Sequence, residues 1–350
     1  MQSRLRFWKY PIFIVLLSLM IAAFTFVYAF SDTAEAPYEP TETPEPVISD
    51  PSDITDDPEN NEPNDDNDPE DDPEEDPFIY PVDEDFIIIT MRETDIHRGP
   101  LLLVNHDHEY IIPWELELVN IVESKSSPYR VHHSNLRVHS SIIEPLDEMM
   151  DAYINATGSR LVTITSAFRN RETQQSILNN YINRMGRREA LRWAALPGHS
   201  EHHTGLAFDF GITSGNTWRT FTGTGNTAWF SRNAHNFGFI LRYRQNKTEI
   251  TQTNYEPWHF RYVSFPHSSI MFQNDWCFEE YIDVINEHTF DDPFVFEHGE
   301  TVYHIFFTDD LEVKIPINSE FEISGNNING FIVTAIILEF DSDSINGVSI

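Results

Sequence analysis

From residue 86 onward, apolar and polar positions follow readable periods. Residues 86–90 and 101–105 are short apolar runs, which predict buried strands. Between 142 and 154, Leu146, Met149, Met150, Tyr153 and Ile154 recur at near-helical spacing and predict a helix. Residues 161–166 read as a strand. Residues 171–193 read as a second helix, with Ile177, Leu178, Ile182 and Leu191 as its apolar positions. Gly198 and Gly205 bracket a loop. In 206–210, alternation puts Leu206, Phe208 and Phe210 on one face and Ala207 and Asp209 on the other. Segments 237–243 and 260–263 predict two more strands. After about residue 290, strand-like runs at 302–307, 311–315, 321–323 and 330–338 alternate with polar turns. We read 291–350 as a small β extension to a main domain at 85–290.

The first 84 residues follow another logic. Residues 11–30 are 20 consecutive uncharged, mostly apolar positions. At 1.5 Å per helical residue they reach about 30 Å, the thickness of a bilayer core. Three bases precede them, at Arg4, Arg6 and Lys9, and the charges that follow are acidic. The positive-inside rule puts residues 1–10 in the cytoplasm and the body outside. The expectation is a single-pass anchor with an extracytoplasmic domain, or a secreted domain if a signal peptidase removes the segment. Residues 31–84 are rich in Pro, Asp, Glu and Asn. Such a stretch buries too little apolar surface to offset its ordering entropy, so it reads as a disordered acidic linker.

Charge narrows the function. Of the net −35, residues 31–80 carry −20 and residues 1–30 carry +3, which leaves −18 for the remainder. A chain of that sign repels phosphate backbones, so nucleic acid is excluded as a partner. The one cysteine, Cys277, excludes an intrachain disulfide and a cysteine-rich zinc site. Flanked by Trp276 and Phe278, it reads as core.

The chemistry concentrates in two stretches. In the first, Asp209 sits between Phe208 and Phe210. A carboxylate buried there needs a cation or several donors. His202 lies seven residues upstream on the loop, and Gly205 lets the chain turn back or approach closely. In the second, Pro257 biases Glu256 away from helix, so Glu256 and His259 lie at a turn entering a strand. Two histidines and an aspartate supply three zinc ligands with a fourth position for water, and Glu256 is then free as a base. The competing reading pairs Asp209 with Arg261 or Arg242 and leaves the histidines as packing.

Ser200-x-His202-x-x-Gly205-x-Ala207-x-Asp209, followed by Glu256-Pro257-Trp258-His259-x-Arg261-Tyr262, resembles the zinc D-alanyl-D-alanine carboxypeptidases of the VanY type. Ser166-Ala167-Phe168-Arg169-Asn170 with Gln174 is similar to a further element of that family. The resemblance covers about 95–290. It implies an α+β fold: a small, mainly antiparallel sheet flanked by helices. It implies one zinc ion per chain on His202, Asp209 and His259, with Glu256 as the general base. Arg169 would stabilise the oxyanion, and Ser166, Gln174 and Ser200 would touch substrate. The implied partner is a peptidoglycan stem peptide ending in D-Ala-D-Ala. L,D-carboxypeptidase, D,D-dipeptidase and wall endopeptidase remain alternatives on the same site, and a non-catalytic wall-binding module is a further one.

The chain departs from the family pattern at Phe168, Asn170, His199, His203, Arg244 and Asn246. None is an implied ligand or the implied base, so the departures bear on substrate preference. His203 competes with His202 as ligand, and motif register favours His202. His199 is a candidate pocket contact. Arg261 reads as a partner for Asp209 or another acid, or as a clamp for the substrate carboxylate. Trp258 reads as core. His235 and His267 read as structural or exposed, and His106, His108, His132, His133 and His139 as surface residues.

Overall fold

The computed structural model describes residues 79–81, 85–111, 116–215 and 217–337. The expected anchor and most of the linker lie outside these residues. Among the described residues, no helix is long and apolar enough to cross a membrane.

The described strands, in chain order, start with β1 (Ile79–Pro81), β2 (Phe86–Thr90), β3 (Leu118–Asn120), β4 (Arg130–Val131) and β5 (Arg137–His139). The site strands follow as β6 (Val162–Ser166), β7 (Ala207–Ser214), β8 (Thr217–Thr220), β9 (Phe239–Leu241) and β10 (His259–Tyr262). Last come β11 (Phe294–His298), β12 (Thr301–Thr308), β13 (Glu312–Pro316), β14 (Ser319–Gly325) and β15 (Phe331–Ile337). The longer helices are α1 (Ile143–Thr157), α2 (Arg171–Met185), α3 (His267–Gln273) and α4 (Phe278–Ile285). The result is a mixed fold of helices and sheets.

The central sheet runs β4-β6-β7-β10-β9, with β8 paired to β7. It is antiparallel apart from β4 against β6. Strand β7 lies between β6 and β10, so both its edges are hydrogen-bonded. The predicted alternation holds: Phe208 and Phe210 enter a core with Phe221, Phe230, Phe239 and Phe260. Burying each ring is worth about 1.5–3 kcal/mol. Helix α1 closes the same core with Leu146, Met149, Met150 and Tyr153.

Two predicted elements differ. The helix expected over 171–193 stops at Met185. Gly186 takes φ +80 and donates its N–H to the Ile182 carbonyl, and a single turn, Arg187–Ala190, follows. Glycine reaches that conformation at no steric cost, so it ends a helix that side-chain spacing alone would continue. The strand expected at 101–105 is not in a sheet, although Leu101, Leu102, Leu103 and Val104 are all buried. Its backbone groups find partners elsewhere. The Pro100 and Leu102 carbonyls accept from Arg261, the Leu103 carbonyl from Asn327, and Leu103 N–H donates to the Asn326 carbonyl. Those partners satisfy the backbone without a ladder.

The linker boundary also moves. Strand β1 pairs antiparallel with β2 inside the stretch expected to be disordered. Downstream, β13 pairs with the other edge of β2, while β11-β12-β15-β14 form a separate sheet. Ile305 and Ile332 of that sheet share a core with Leu101, Val263, Ile270, Phe278 and Tyr281. Residues 294–337 therefore pack on the main domain rather than trailing from it. Cys277 precedes α4 and is buried, and burial raises its thiol to about 12.

Candidate active site

Strand register builds the site. Asp209 on β7 stands directly opposite His259 on β10, and Ser166 on β6 pairs with Asp209 from the other side. One row across three strands thus carries two predicted ligands and a predicted substrate contact. His202 arrives from a short turn, Glu201–Thr204, that ends at Gly205 with φ +72. A Cβ on Gly205 would meet the His139 backbone nitrogen at 2.8 Å, so both the turn and the close approach predicted there are realised.

His202, Asp209 and His259 each offer one candidate ligand atom, and the three atoms lie within 4.8 Å of one another. His202 Nδ1 is 2.6 Å from the Ala167 carbonyl, so that nitrogen carries the proton. The lone pair of Nε2 then faces Asp209 Oδ2 at 3.3 Å. Both atoms are acceptors, and Nε2 is buried without a hydrogen-bond partner. Burial pushes the His202 ring down to about 4, so it does not supply the missing proton near neutrality. Two buried acceptors facing each other fit a cation between them. His259 completes the set, with Nδ1 3.1 Å from Asp209 Oδ1. Burial opposes a charge on His259, but hydrogen bonds to Asp209 and Glu201 outweigh it and raise the ring to about 9. Burial likewise opposes the Asp209 carboxylate, but the Arg169 guanidinium and the hydrogen bond to His259 hold it well below the usual range. Two imidazoles and a carboxylate are a donor set for zinc.

Glu256 stands beside the ligands, its Oε2 3.8 Å from His259 Nδ1. Burial pushes its carboxyl up to about 8. Arg169 donates from Nη2 to Asp209 Oδ2, from Nε to Ser166 Oγ at 2.9 Å, and from Nη1 to Gln174 Oε1 at 3.4 Å. Ser166 and Gln174, predicted as substrate contacts, therefore also brace this arginine. All eight sequence-predicted site residues, Ser200 included, line one cavity of about 390 Å³.

The alternatives resolve in detail. His203 donates from Nδ1 to the Arg169 carbonyl and accepts the Gly198 N–H on Nε2, so neither nitrogen is free for a metal. His199 Nδ1 meets the Asn105 carbonyl, and the ring is not part of the cavity wall. Asp209 pairs with Arg169, whereas Arg242 and Arg261 pair with Glu201. Arg261 is fully buried, which removes it as a clamp for the substrate carboxylate. Trp258 belongs to the core, with an edge on the cavity. His267 is structural and His235 stacks on Phe272. His133, expected at the surface, lines the cavity with its Nε2 buried.

Sequence reasoning missed Glu201. It is buried, its Oε2 3.2 Å from His259 Nε2. The available signal was charge balance: Arg242 and Arg261 sit in apolar strand contexts and need an acid.

Fold and site together define a metallopeptidase with a buried His-Asp-His centre. Comparison with known proteins agrees. Residues 135–265 match the VanY family, described as D-alanyl-D-alanine carboxypeptidase. A D-alanyl-D-alanine carboxypeptidase of Enterococcus faecium is 35% identical over 253 residues, covering 70% of this chain and 78% of that protein. The putative carboxypeptidase YodJ of Bacillus subtilis (strain 168) is 36% identical over 153 residues, 43% of this chain and 55% of that protein. Among solved structures, the vancomycin-resistance D,D-dipeptidase VanXYg, in complex with a D-Ala-D-Ala phosphinate analogue, superposes with a TM-score of 0.63. It is 32% identical, over 71% of this chain and 98% of its own. The chain belongs to the VanY-type D-alanyl-D-alanine carboxypeptidase family.

Proposed function

We propose that this protein is a zinc D,D-carboxypeptidase that removes the terminal D-alanine from peptidoglycan stem peptides. The observation that carries the reading is the unpartnered His202 Nε2 facing Asp209, with Glu256 and Arg169 at its side in one cavity. His202, Asp209 and His259 would hold the ion. Zinc, when bound, lowers the pKa of water toward about 7 and polarises a carbonyl.

The chain's own groups do the rest. Glu256 accepts the proton of the attacking water and returns it to the departing D-alanine amine. A carboxyl raised to about 8 by burial suits both directions of transfer near neutral pH. Arg169 spends one N–H on each of Ser166, Gln174 and Asp209. The two N–H groups left on its guanidinium supply the carbonyl oxygen as negative charge builds there.

Incubating the purified protein with a wall pentapeptide, the matching tetrapeptide and free D-Ala-D-Ala, and weighing the products, tests the reading. Release of one D-alanine from the pentapeptide supports it. Cleavage of the tetrapeptide alone moves the activity to L,D-carboxypeptidase. Cleavage of the free dipeptide alone moves it to D,D-dipeptidase, the activity in VanXYg's name. We further propose that residues 11–30 anchor the protein, with the catalytic domain outside the membrane. Recovery of the full-length chain in the soluble fraction of intact cells would remove that proposal.

A further inference from the structure

We propose that Glu201 is a positioning residue for the metal centre, a buried carboxylate that fixes the ring of His259 and makes it a stronger ligand. The role rests on the metal-site reading above and concerns a residue that reading does not use.

The geometry sets the tautomer. His259 presents Nδ1 to the row of ligand atoms, 3.1 Å from Asp209 Oδ1. For Nδ1 to offer a lone pair to a metal, Nε2 must carry the ring proton. Nε2 lies 3.2 Å from Glu201 Oε2, which accepts that proton as a hydrogen bond. Turning the ring over would put carbon atoms against both carboxylates.

Glu201 is itself held. Its second oxygen accepts from Arg242 Nε at 2.7 Å and from Arg261 Nη1 at 3.2 Å. Arg242 then grips Glu279 on α4 with both terminal nitrogens, at 2.8 and 2.6 Å. Arg261 grips the Pro100 and Leu102 carbonyls. The side chains of Glu201, Arg242 and Arg261 have no solvent exposure, and that of Glu279 has 12%. Two acids and two bases balance. Burying four charges is a poor route to stability, since apolar side chains of similar volume serve as well. The arrangement does what an apolar cluster would not: it delivers a fixed, anionic acceptor to the back of one ligand. Carboxylates behind ligand histidines orient the ring and raise its basicity. The two histidines differ in this respect, because His202 is backed by the neutral Ala167 carbonyl.

The test is Glu201→Gln in the full-length protein. Glutamine keeps the size and one acceptor oxygen and removes the charge. Zinc affinity, read by competition with a chelator, should fall by about 10- to 100-fold, the usual cost of losing such a partner. The visible bands of the cobalt-substituted protein should shift. A folded variant with unchanged affinity and unchanged cobalt bands overturns the role. Should the variant fail to fold, nitrogen NMR of zinc-loaded wild-type protein decides. His259 protonated at Nε2 supports the role, and protonation at Nδ1 overturns it. Wild-type protein that takes up no zinc overturns the metal-site reading and this role together, whereas loaded wild type with an indifferent Glu201→Gln overturns this role alone.

Discussion

His202 and His203 are neighbours in sequence, and their ring nitrogens face opposite kinds of partner. His203 spends both nitrogens on backbone groups, while His202 leaves Nε2 facing a carboxylate. The two substitutions should therefore separate. His202→Ala should abolish stoichiometric zinc, and His203→Gln should retain it, as read by metal analysis after dialysis. Equal metal loss in both would reverse the ligand assignment. Glu256 makes a third case. Glu256→Ala should keep the ion and lower D-alanine release by about 10²- to 10⁴-fold, the range expected for removing a general base. Near-normal turnover would exclude Glu256 from proton transfer. His202, Asp209, Glu256 and His259 were legible from chemistry, since an acid flanked by phenylalanines demands a cation and Pro257 biases Glu256 into a turn before His259; Arg169, Ser166, Gln174 and Ser200 entered only through the family resemblance. Glu201 was missed because Arg242 and Arg261 signal only that some acid is needed, and the folded sheet alone shows which one they approach.

At the scale of elements, glycines set limits that hydrophobic spacing does not express. Gly186 and Gly205 both have positive φ, at +80 and +72, but only Gly205 is crowded, with the His139 nitrogen and a Leu118 methyl 2.8 Å from an added Cβ. Gly186, at ψ 157, lies in a region nearly reserved for glycine, so Gly186→Ala should cost about 1–3 kcal/mol from backbone strain alone. Gly205→Ala should cost about 1–2 kcal/mol for its left-handed backbone and about 1–3 kcal/mol more because the β5 backbone must also yield. Urea unfolding reads both losses, and a Gly205→Ala loss no greater than the about 1–2 kcal/mol of left-handed strain would mean the close approach carries no energy. The strands β2, β6, β7 and β10 were readable from alternation. The end of α2 and the coil at 101–104 were not. In the first, one glycine overrides spacing. In the second, Arg261, Asn326 and Asn327 take the place of a neighbouring strand.

For the whole molecule, His267 ties the parts together. At the start of α3 it bonds Tyr281 on α4 and Thr334 on β15. Burial pushes its ring down to about 3. In the unfolded chain an imidazole titrates near 6.5, so the unfolded state takes up the proton first as pH falls. The stability this neutral histidine contributes is therefore complete above about pH 6.5 and drains away toward about pH 3, by an amount on the order of a few kcal/mol. His267→Gln removes that dependence. The gap in unfolding free energy between wild type and variant should narrow from pH 7 to pH 4.5, and a constant gap would mean His267 does not titrate on unfolding.

Strand β2 has one edge on β1 and the other on β13. One of the earliest strands of the domain thus waits for one of the last. During synthesis, the edge of β2 that faces β1 has its local partner almost at once, while the opposite edge stays open until β13 has emerged. A domain closed in this order finishes folding only after its final strands arrive.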